Sequence, residues 1–160
     1  MTIAIILCWA AMVIPACAPA LSESLPQTDT LRESILQAVN DLRAKGCTCG
    51  SKRMPPVAPV TWNEKLATAA QRHASDMARN GHFDHTGTDG STNAQRVVQA
   101  GYQWRAVAEN IAYGYQNSAA VVAGWVKSAG HCKNMMSAAY TEMGAAREGV
   151  YWVQTFGTAR

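Results

Sequence analysis

The sequence is short of charged residues and has no cluster of basic ones. Charged side chains make up 16% of its 160 residues, a share that is low for a cytosolic domain and common in exported proteins. The formal net charge is +3, and the lysines and arginines are scattered along the chain, whereas a nucleic-acid-binding domain concentrates them on one face. The composition therefore argues against nucleic acid as a partner.

The sequence also lacks internal repeats, low-complexity tracts and the Gly-x-Ser-x-Gly segment found in many serine hydrolases. The missing segment argues against a hydrolase that uses a Ser-His-Asp triad. Hydrophobic residues account for 48% of the chain, which is enough for the core of one domain and too little for two. We therefore expect a single domain.

The apolar run at residues 3–14 is too short to span a bilayer. Small residues follow it up to Ala20, a pattern typical of a secretory signal that is cleaved before Leu21. No Lys or Arg precedes the run, which is atypical of such signals. As an alternative, the segment 14–17 (Ile-Pro-Ala-Cys) resembles a lipoprotein box in which Cys17 would be lipidated.

These features predict the domain organisation and the location of the protein. Residues 1–20 form the signal peptide, or a lipoprotein signal that ends before Cys17; residues 21–29 form a linker and residues 30–160 the domain. The mature chain is expected to be secreted or periplasmic and to contain no stable membrane span. Anchoring through Cys17 is the alternative.

Five cysteines are present, and two of them fall within the predicted signal. The remaining three are Cys47, Cys49 and Cys132. In an oxidising compartment they predict one disulfide and one spare thiol. Cys47 and Cys49 are too close in sequence to form an unstrained bond with each other, and this spacing makes a poor zinc knuckle.

Apolar spacing and turn residues predict four helices interleaved with strands. The segment 47–60 holds two cysteines and three prolines and is predicted to be a loop. Helices interleaved with antiparallel strands indicate a mixed α+β sandwich. The predicted helices begin at the caps Thr30, Asn63, Ser91 or Thr92, and Ser118; the first three end at Gly46, Gly81 and Gly101; and the predicted strands are 106–113, 142–147 and 150–156.

Seven short segments, taken in their order and spacing, resemble a bacterial CAP domain (SCP/PR-1-like, cysteine-rich secretory, antigen 5 and pathogenesis-related 1) over residues 31–157. The resemblance implies an α-β-α sandwich in which a small antiparallel sheet packs between helices, with a cleft that carries two histidines and acidic partners. The segments are 82–87 (HFDHTG), 89–92 (DGST), 100–102 (AGY), 108–112 (AENIA), 124–131 (GWVKSAGH), 141–144 (TEMG) and 151–157 (YWVQTFG).

The same resemblance implies a set of cleft residues, here called the His/Glu cleft: His85, Glu109, Asn110, Ser128 and His131. Of these, His85, Glu109 and His131 match the family's histidines and acid and are the candidates for catalysis. Many eukaryotic members have a second acid near the place of Ser128, which is not acidic here. Two imidazoles, from His85 and His131, and one carboxylate suit zinc; they also suit a polar network that binds no ligand.

The resemblance further implies a disulfide between Cys49 and Cys132. Bacterial relatives often place a Cys-Gly pair after the first helix and a cysteine just after the Gly-His pair, as Cys49-Gly50 and His131-Cys132 stand here. Cys47 would then be the spare thiol and could compete for Cys132.

For function, the resemblance implies an exported binding or interaction module for a small apolar or lipid-like ligand. The competing hypothesis is a zinc-dependent hydrolase that uses the His/Glu cleft, and the third is a purely structural domain. Of the other histidines, His73 lies beside the apolar stripe of its helix and is interpreted as a core histidine, whereas His82 is expected to face solvent. The aromatic residues that could line an apolar groove, or simply pack in the core, are Tyr102, Trp104, Tyr113, Tyr115 and Trp125.

Overall fold

The structure is a computed structural model that describes residues 27–160, with side-chain surroundings from Leu31 onward. The predicted signal peptide and residues 21–26 of the predicted linker lie outside the described residues. The helices are α1 (Gln27–Lys45), α2 (Glu64–Asn80), α3 (Asn93–Gln99), α4 (Ser118–Lys127) and α5 (Ala129–Met135). The strands are β1 (Cys47–Cys49), β2 (Lys52–Met54), β3 (Thr61–Trp62), β4 (Trp104–Tyr113), β5 (Glu142–Glu148) and β6 (Tyr151–Ala159).

The main sheet has four strands in the order β3-β5-β6-β4. Strand β6 pairs antiparallel with both β4 and β5, and only the two-residue β3 joins in parallel. Side chains of a strand alternate between the two faces of its sheet. In β6, Trp152 and Phe156 therefore pack with α1 and α4, whereas Val153 packs with α2 on the opposite face. This is the predicted α-β-α sandwich around a small, mainly antiparallel sheet.

The predicted caps of the second and third helices are confirmed. The Asn63 side chain accepts from the backbone N–H groups of the first turn of α2, and Gly81 closes that helix in the left-handed conformation, at φ 59°. Thr92 forms a reciprocal capping box with Gln95 at the start of α3. The predicted buried face of α2, which consists of Leu66, Ala70, Ala74 and Met77, is completely buried.

Two predicted helix starts were wrong. Helix α1 begins at Gln27, so Thr30 lies inside the helix and the last three residues of the predicted linker are helical. Pro26 directly precedes this start in the sequence, where a proline is tolerated. The cap of α4 is Asn117, whose side chain accepts from Ala120 N–H, rather than Ser118. Asparagine and serine are equally good caps, and two adjacent candidates left the local pattern ambiguous.

The segment predicted as the loop 47–60 contains a short antiparallel hairpin of β1 and β2. Helix α5, which is only seven residues long and follows α4 directly, was not predicted from the sequence. Cys132 on α5 forms a disulfide with Cys49 on β1, as predicted. Within residues 27–160, no helix combines the length and apolar character needed to cross a membrane.

Candidate functional site

Glu109 occupies the centre of the predicted cleft. It lies on β4 with only 3% of its side chain exposed. Its Oε1 is 2.9 Å from His85 Nδ1, and its Oε2 accepts a hydrogen bond from Arg96 Nη2 at 2.8 Å. The structure thus brings His85 and Glu109 together as predicted, and it adds an arginine that the sequence analysis did not identify.

Arg96 connects three parts of the site. It projects from α3 with 5% of its side chain exposed. Besides Glu109, it donates to the backbone oxygens of His85, at 2.9 Å, and Ser91, at 2.7 Å. The guanidinium therefore fixes the loop 82–91 against β4 and neutralises the buried carboxylate, which would otherwise be costly to bury.

His73 on α2 is a second residue of the site that the sequence analysis did not assign to it. Its ring is completely buried, as expected for a core histidine, and its Nε2 lies 3.8 Å from Glu109 Oε1. Nε2 is also 2.9 Å from the backbone oxygen of Asp84, so the Nε2–H tautomer donates to that carbonyl. His73 consequently holds the loop that carries His85. The fourth histidine, His82, forms a hydrogen bond with a local backbone oxygen, that of Thr86, at 2.8 Å.

The histidines His73, His85 and His131 differ in their proton affinity. The hydrogen bond to Glu109 raises the pKa of His85, whose side chain is 55% exposed. Burial lowers the pKa of His73, against the opposing attraction of Glu109. Burial also lowers the pKa of His131, and the charge of nearby His85 lowers it further. The arrangement therefore favours one imidazolium, at His85, beside two neutral imidazoles.

Asn110 and Asn134 attach α5, and with it His131, to the sheet. The buried Asn110 side chain donates to the His131 backbone oxygen at 3.2 Å and to Gln154 Oε1 at 3.0 Å. Asn134 donates in turn to Asn110 Oδ1 at 2.9 Å. The fifth predicted cleft residue, Ser128, is half-buried at the junction of α4 and α5 and makes no side-chain capping bond.

The donor set of His85, Glu109 and His131 fits a zinc site poorly. Catalytic zinc takes three protein ligands, but both carboxylate oxygens of Glu109 are already bonded, one to His85 and one to Arg96. Within residues 27–160, the one group of three or more His, Cys, Asp or Glu side chains whose ligand atoms lie within 4.8 Å of one another consists of Cys47, Cys49 and Cys132. The geometry of the cleft therefore favours a polar network.

The fold agrees with what comparisons with known proteins show. The model of the CAP family, described as the cysteine-rich secretory protein family, matches residues 36–156. The chain belongs to the CAP family. The Bacillus subtilis membrane protein YlbC is 29% identical to it over 127 residues, which cover 79% of this chain and 34% of that protein.

Two solved structures share the CAP fold of this chain. An extracellular protein with an SCP domain from Bacillus anthracis has a TM-score of 0.66 and 21% identity, over 88% of this chain and 45% of that one. An outer surface protein from Borrelia burgdorferi has a TM-score of 0.65 and 19% identity, over 82% of this chain and 92% of that one. The chain therefore spans about a third of YlbC and somewhat less than half of the B. anthracis protein.

A cavity separate from the His/Glu cleft lies elsewhere in the CAP domain. It is a groove of about 940 Å³ between α1, α2, α4 and β5, here called the α1–α2–α4 groove. Its lining includes Ala67, Ala145 and Ala146, and it contains none of the predicted cleft residues. A volume of this size is within the usual range for small-molecule sites, roughly 300–1,000 Å³.

Two arginine–tryptophan pairs flank the α1–α2–α4 groove. The Arg32 guanidinium lies 5.5 Å from the centre of the Trp62 ring, and that of Arg147 lies 5.0 Å from the Trp152 ring. Glu64, the one acidic residue in the lining, is bonded to Arg32 at 2.6 Å. The groove thus combines apolar surface with a second, uncompensated guanidinium at Arg147.

The aromatic groove considered in the sequence analysis does not form as one surface. Tyr102 is buried against Glu142, and Trp125 is buried and donates to the backbone of β4. Tyr113 is 57% exposed, whereas Tyr115 packs against the core beside α4. The positions of these five residues in the sequence do not show which face of the sheet each side chain reaches. The tryptophans that line the α1–α2–α4 groove are Trp62 and Trp152.

Proposed function

We propose that this CAP domain is an exported binding module whose α1–α2–α4 groove takes a lipid-like ligand with an apolar chain and an anionic group. The observation that carries the proposal is a lining that combines the apolar side chains of Leu31, Trp62 and Ala119 with the guanidinium of Arg147, which lies over Trp152. Such apolar side chains favour a hydrocarbon chain through the hydrophobic effect, and a guanidinium favours a carboxylate or phosphate.

The charges of the residues that line the groove support an anionic ligand in particular. Its charged lining residues are Arg32, Arg147 and Glu64. Glu64 already pairs with Arg32. Arg147 donates only to backbone oxygens, those of Gly149 and Gln116, so its positive charge has no carboxylate partner among the described residues.

Displacement of a fluorescent fatty acid, cis-parinaric acid, tests this proposal. We expect the wild-type domain to bind the probe. Ala119→Trp should weaken binding because Ala119 lines the groove and is exposed on α4. Ala123→Trp is the matched control, since Ala123 is exposed on the same helix but lies outside the groove. Equal affinities for the two tryptophan variants would contradict the assignment to this groove.

A charge-neutralising variant tests the anionic group separately. Arg147→Gln should weaken binding of the fatty acid but leave binding of the corresponding fatty alcohol nearly unchanged. If both probes lose affinity to the same extent, the arginine acts by shaping the groove rather than by attracting charge.

A zinc-dependent hydrolase at the His/Glu cleft is the second candidate. One observation favours it: burial lowers the pKa of His131, and neutral imidazole is the form that binds metal. The raised pKa of His85 and the bonded carboxylate of Glu109 oppose it. Calorimetric titration with zinc tests this candidate. His85→Ala and His131→Ala should each abolish zinc binding while circular dichroism stays native. Zinc binding that survives both substitutions excludes this site, and no binding by the wild-type domain at micromolar zinc favours the polar network.

Export is part of the proposal. It is supported by the signal-like N-terminus and by the extracellular and outer-surface descriptions of the two structural relatives. Cleavage before Leu21 would leave α1 intact, since that helix begins at Gln27. Intact mass of protein from an envelope fraction should give a chain that starts at Leu21. An added mass of acyl chains on Cys17 would establish the lipoprotein alternative, and full-length chain retained in the cytosol would exclude both.

A further inference from the structure

Three sulfur atoms meet where the β1–β2 hairpin packs on α5. Cys49 and Cys132 are bonded, with Cα atoms 5.4 Å apart. The sulfur of the third cysteine, Cys47, lies 3.5 Å from Cys132 Sγ and 3.7 Å from Cys49 Sγ. Cys49 and Cys132 are at most 1% exposed, whereas Cys47 is half-buried. The one thiol of this cluster is therefore also its most accessible sulfur.

Strand geometry explains why two cysteines face the same partner. Residues two positions apart in a strand point to the same face, so Cys47 and Cys49 both present their sulfur atoms to α5. Thr48, between them, points the other way and is exposed. Pairing with β2 holds this arrangement, with Cys47 opposite Met54 and Cys49 opposite Lys52.

We propose that the disulfide has two alternative registers, Cys49–Cys132 and Cys47–Cys132, which interconvert by an internal thiol–disulfide exchange. The Cys47 thiol loses its proton, and its thiolate attacks Cys132 Sγ. The Cys47–Cys132 bond forms as the Cys49–Cys132 bond breaks, and Cys49 leaves as a thiolate that takes up a proton. One disulfide and one thiol are present before and after the step, so it consumes no oxidant or reductant.

Attack of the Cys47 thiolate on Cys49 Sγ, the other sulfur of the disulfide, is less favourable. It would bond Cys47 to Cys49, which are separated by a single residue, and such a short ring is strained. It would also release α5 from the hairpin. Cys132 is in addition the nearer of the two sulfur atoms. The exchange therefore moves the attachment point along β1 and keeps α5 tethered.

The register of the disulfide affects the position of His131. Cys47 Sγ must close on Cys132 Sγ from 3.5 Å, so the exchange requires a small shift of α5 against the hairpin. Cys132 directly follows His131, whose backbone oxygen accepts the hydrogen bond from Asn110. Burial raises the pKa of the Cys47 thiol, so exchange should be slow near neutral pH and faster as the pH rises.

Serine variants test whether the second register can form. Oxidised in a glutathione buffer, Cys47→Ser should close the Cys49–Cys132 bond and Cys49→Ser should close Cys47–Cys132. The matched control is the triple variant Cys47→Ser/Thr48→Cys/Cys49→Ser, in which the cysteine stands at position 48, between the two natural positions. That variant should keep two free thiols because residue 48 faces away from α5. Free thiols in Cys49→Ser, or a closed bond in the residue-48 variant, would overturn the proposal.

Thiol labelling tests whether the wild-type protein exchanges. Oxidised protein is incubated at a series of pH values, quenched with excess N-ethylmaleimide, then reduced and alkylated with a second reagent. Cys47 and Cys49 share the tryptic peptide 46–52, so fragmentation between them must locate the maleimide. We expect the label on both residues, with the share on Cys49 appearing faster at higher pH. Label on Cys47 alone at every pH would overturn the exchange.

The two oxidised serine variants also isolate the two registers. Backbone amide shifts of Asn110 and His131 should differ between them, whereas residues of α3, which packs on α2 and β4, should match. Identical shifts at Asn110 and His131 would show that the register does not reach the cleft.

Discussion

Arg96 and Glu109 form a buried ion pair, with Nη2 and Oε2 2.8 Å apart and side chains 5% and 3% exposed. Removing one partner strands a buried charge, which typically costs about 3–5 kcal/mol. Arg96→Met should therefore lower the free energy of unfolding by roughly that amount. Urea denaturation of the purified domain measures it.

The double variant Arg96→Met/Glu109→Gln is the control for this interpretation. Because it also removes the stranded carboxylate, it should be more stable than Arg96→Met alone. A double variant that is less stable than the single one would show that Arg96 acts mainly by packing and by its bonds to the loop 82–91.

The histidines of the cleft should titrate in a defined order. We expect NMR titration to place the pKa of His85 above its ordinary value of 6.5, because Glu109 stabilises its charged form. The pKa of His131 should fall below 6.5, because burial disfavours its charged form. Glu109→Gln should lower the pKa of His85 and reverse the direction of its shift. A pKa of His85 that is unchanged in this variant would contradict the role of the hydrogen bond.

These shifts also have opposite effects on stability. The raised pKa of His85 contributes stability that is present below pH 6.5 and is lost as the pH rises through its folded pKa. The lowered pKa values of His73 and His131 reduce stability as the pH falls below 6.5, because the unfolded chain binds those protons more readily. His85→Gln removes the contribution of His85, so it should lower the melting temperature more at about pH 5.5 than at about pH 8. These two values lie on either side of the ordinary histidine pKa. Thermal unfolding at both pH values measures the difference.

Gly144 on β5 permits α2 to lie directly on the sheet. A Cβ at this position would overlap backbone atoms of Leu66 and Ala67, and backbone cannot move aside as a side chain can. Gly144→Ala should therefore destabilise the domain by at least about 1–3 kcal/mol, as overpacking does. Gly130→Ala is the matched control, since a Cβ there meets nothing within 4 Å. Equal melting temperatures for the two variants would contradict the close approach of α2.

Most of the fold could be predicted because its signals are local. Asn63, Gly81 and Thr92 act through bonds to residues in the adjacent turn of the helix, so their roles can be recognised from neighbouring residues alone. The errors arose where local signals compete or are too short. Asn117 and Ser118 are adjacent capping residues, and α5 has only seven residues in which to show a period.

The candidate site was only partly predictable, because it consists of contacts between distant residues. Resemblance to the CAP family supplied His85 and Glu109, which are 24 residues apart in sequence. It did not supply Arg96 or His73. An arginine on a short helix is usually solvated and a histidine beside an apolar stripe is usually a packing residue, so nothing local distinguishes these two. Only the tertiary structure places both against Glu109.

The Cys49–Cys132 disulfide should make a large contribution to stability. It joins residues 83 positions apart, and the chain-entropy model gives about 4 kcal/mol for loops of this size. This contribution should be measured in the Cys47→Ser variant, in which the alternative Cys47–Cys132 bond cannot form. Oxidised and reduced forms of that variant should differ by about this amount in urea denaturation, and a difference below about 1 kcal/mol would contradict the entropic argument.

The same comparison of oxidised and reduced forms, made on Cys49→Ser, separates the entropic effect of the bond on the unfolded chain from its effect on the folded structure. Its expected Cys47–Cys132 bond would join residues 85 positions apart, so its effect on the unfolded chain differs from that of the native bond by less than about 0.1 kcal/mol. Any larger difference between the oxidised variants must therefore come from the folded state, where α5 has to shift along β1. We expect oxidised Cys49→Ser to be the less stable of the two, because the bonds from Asn110 and Asn134 hold α5 in the position that suits Cys49. If it proves the more stable, the bonds of α5 do not favour the Cys49–Cys132 register.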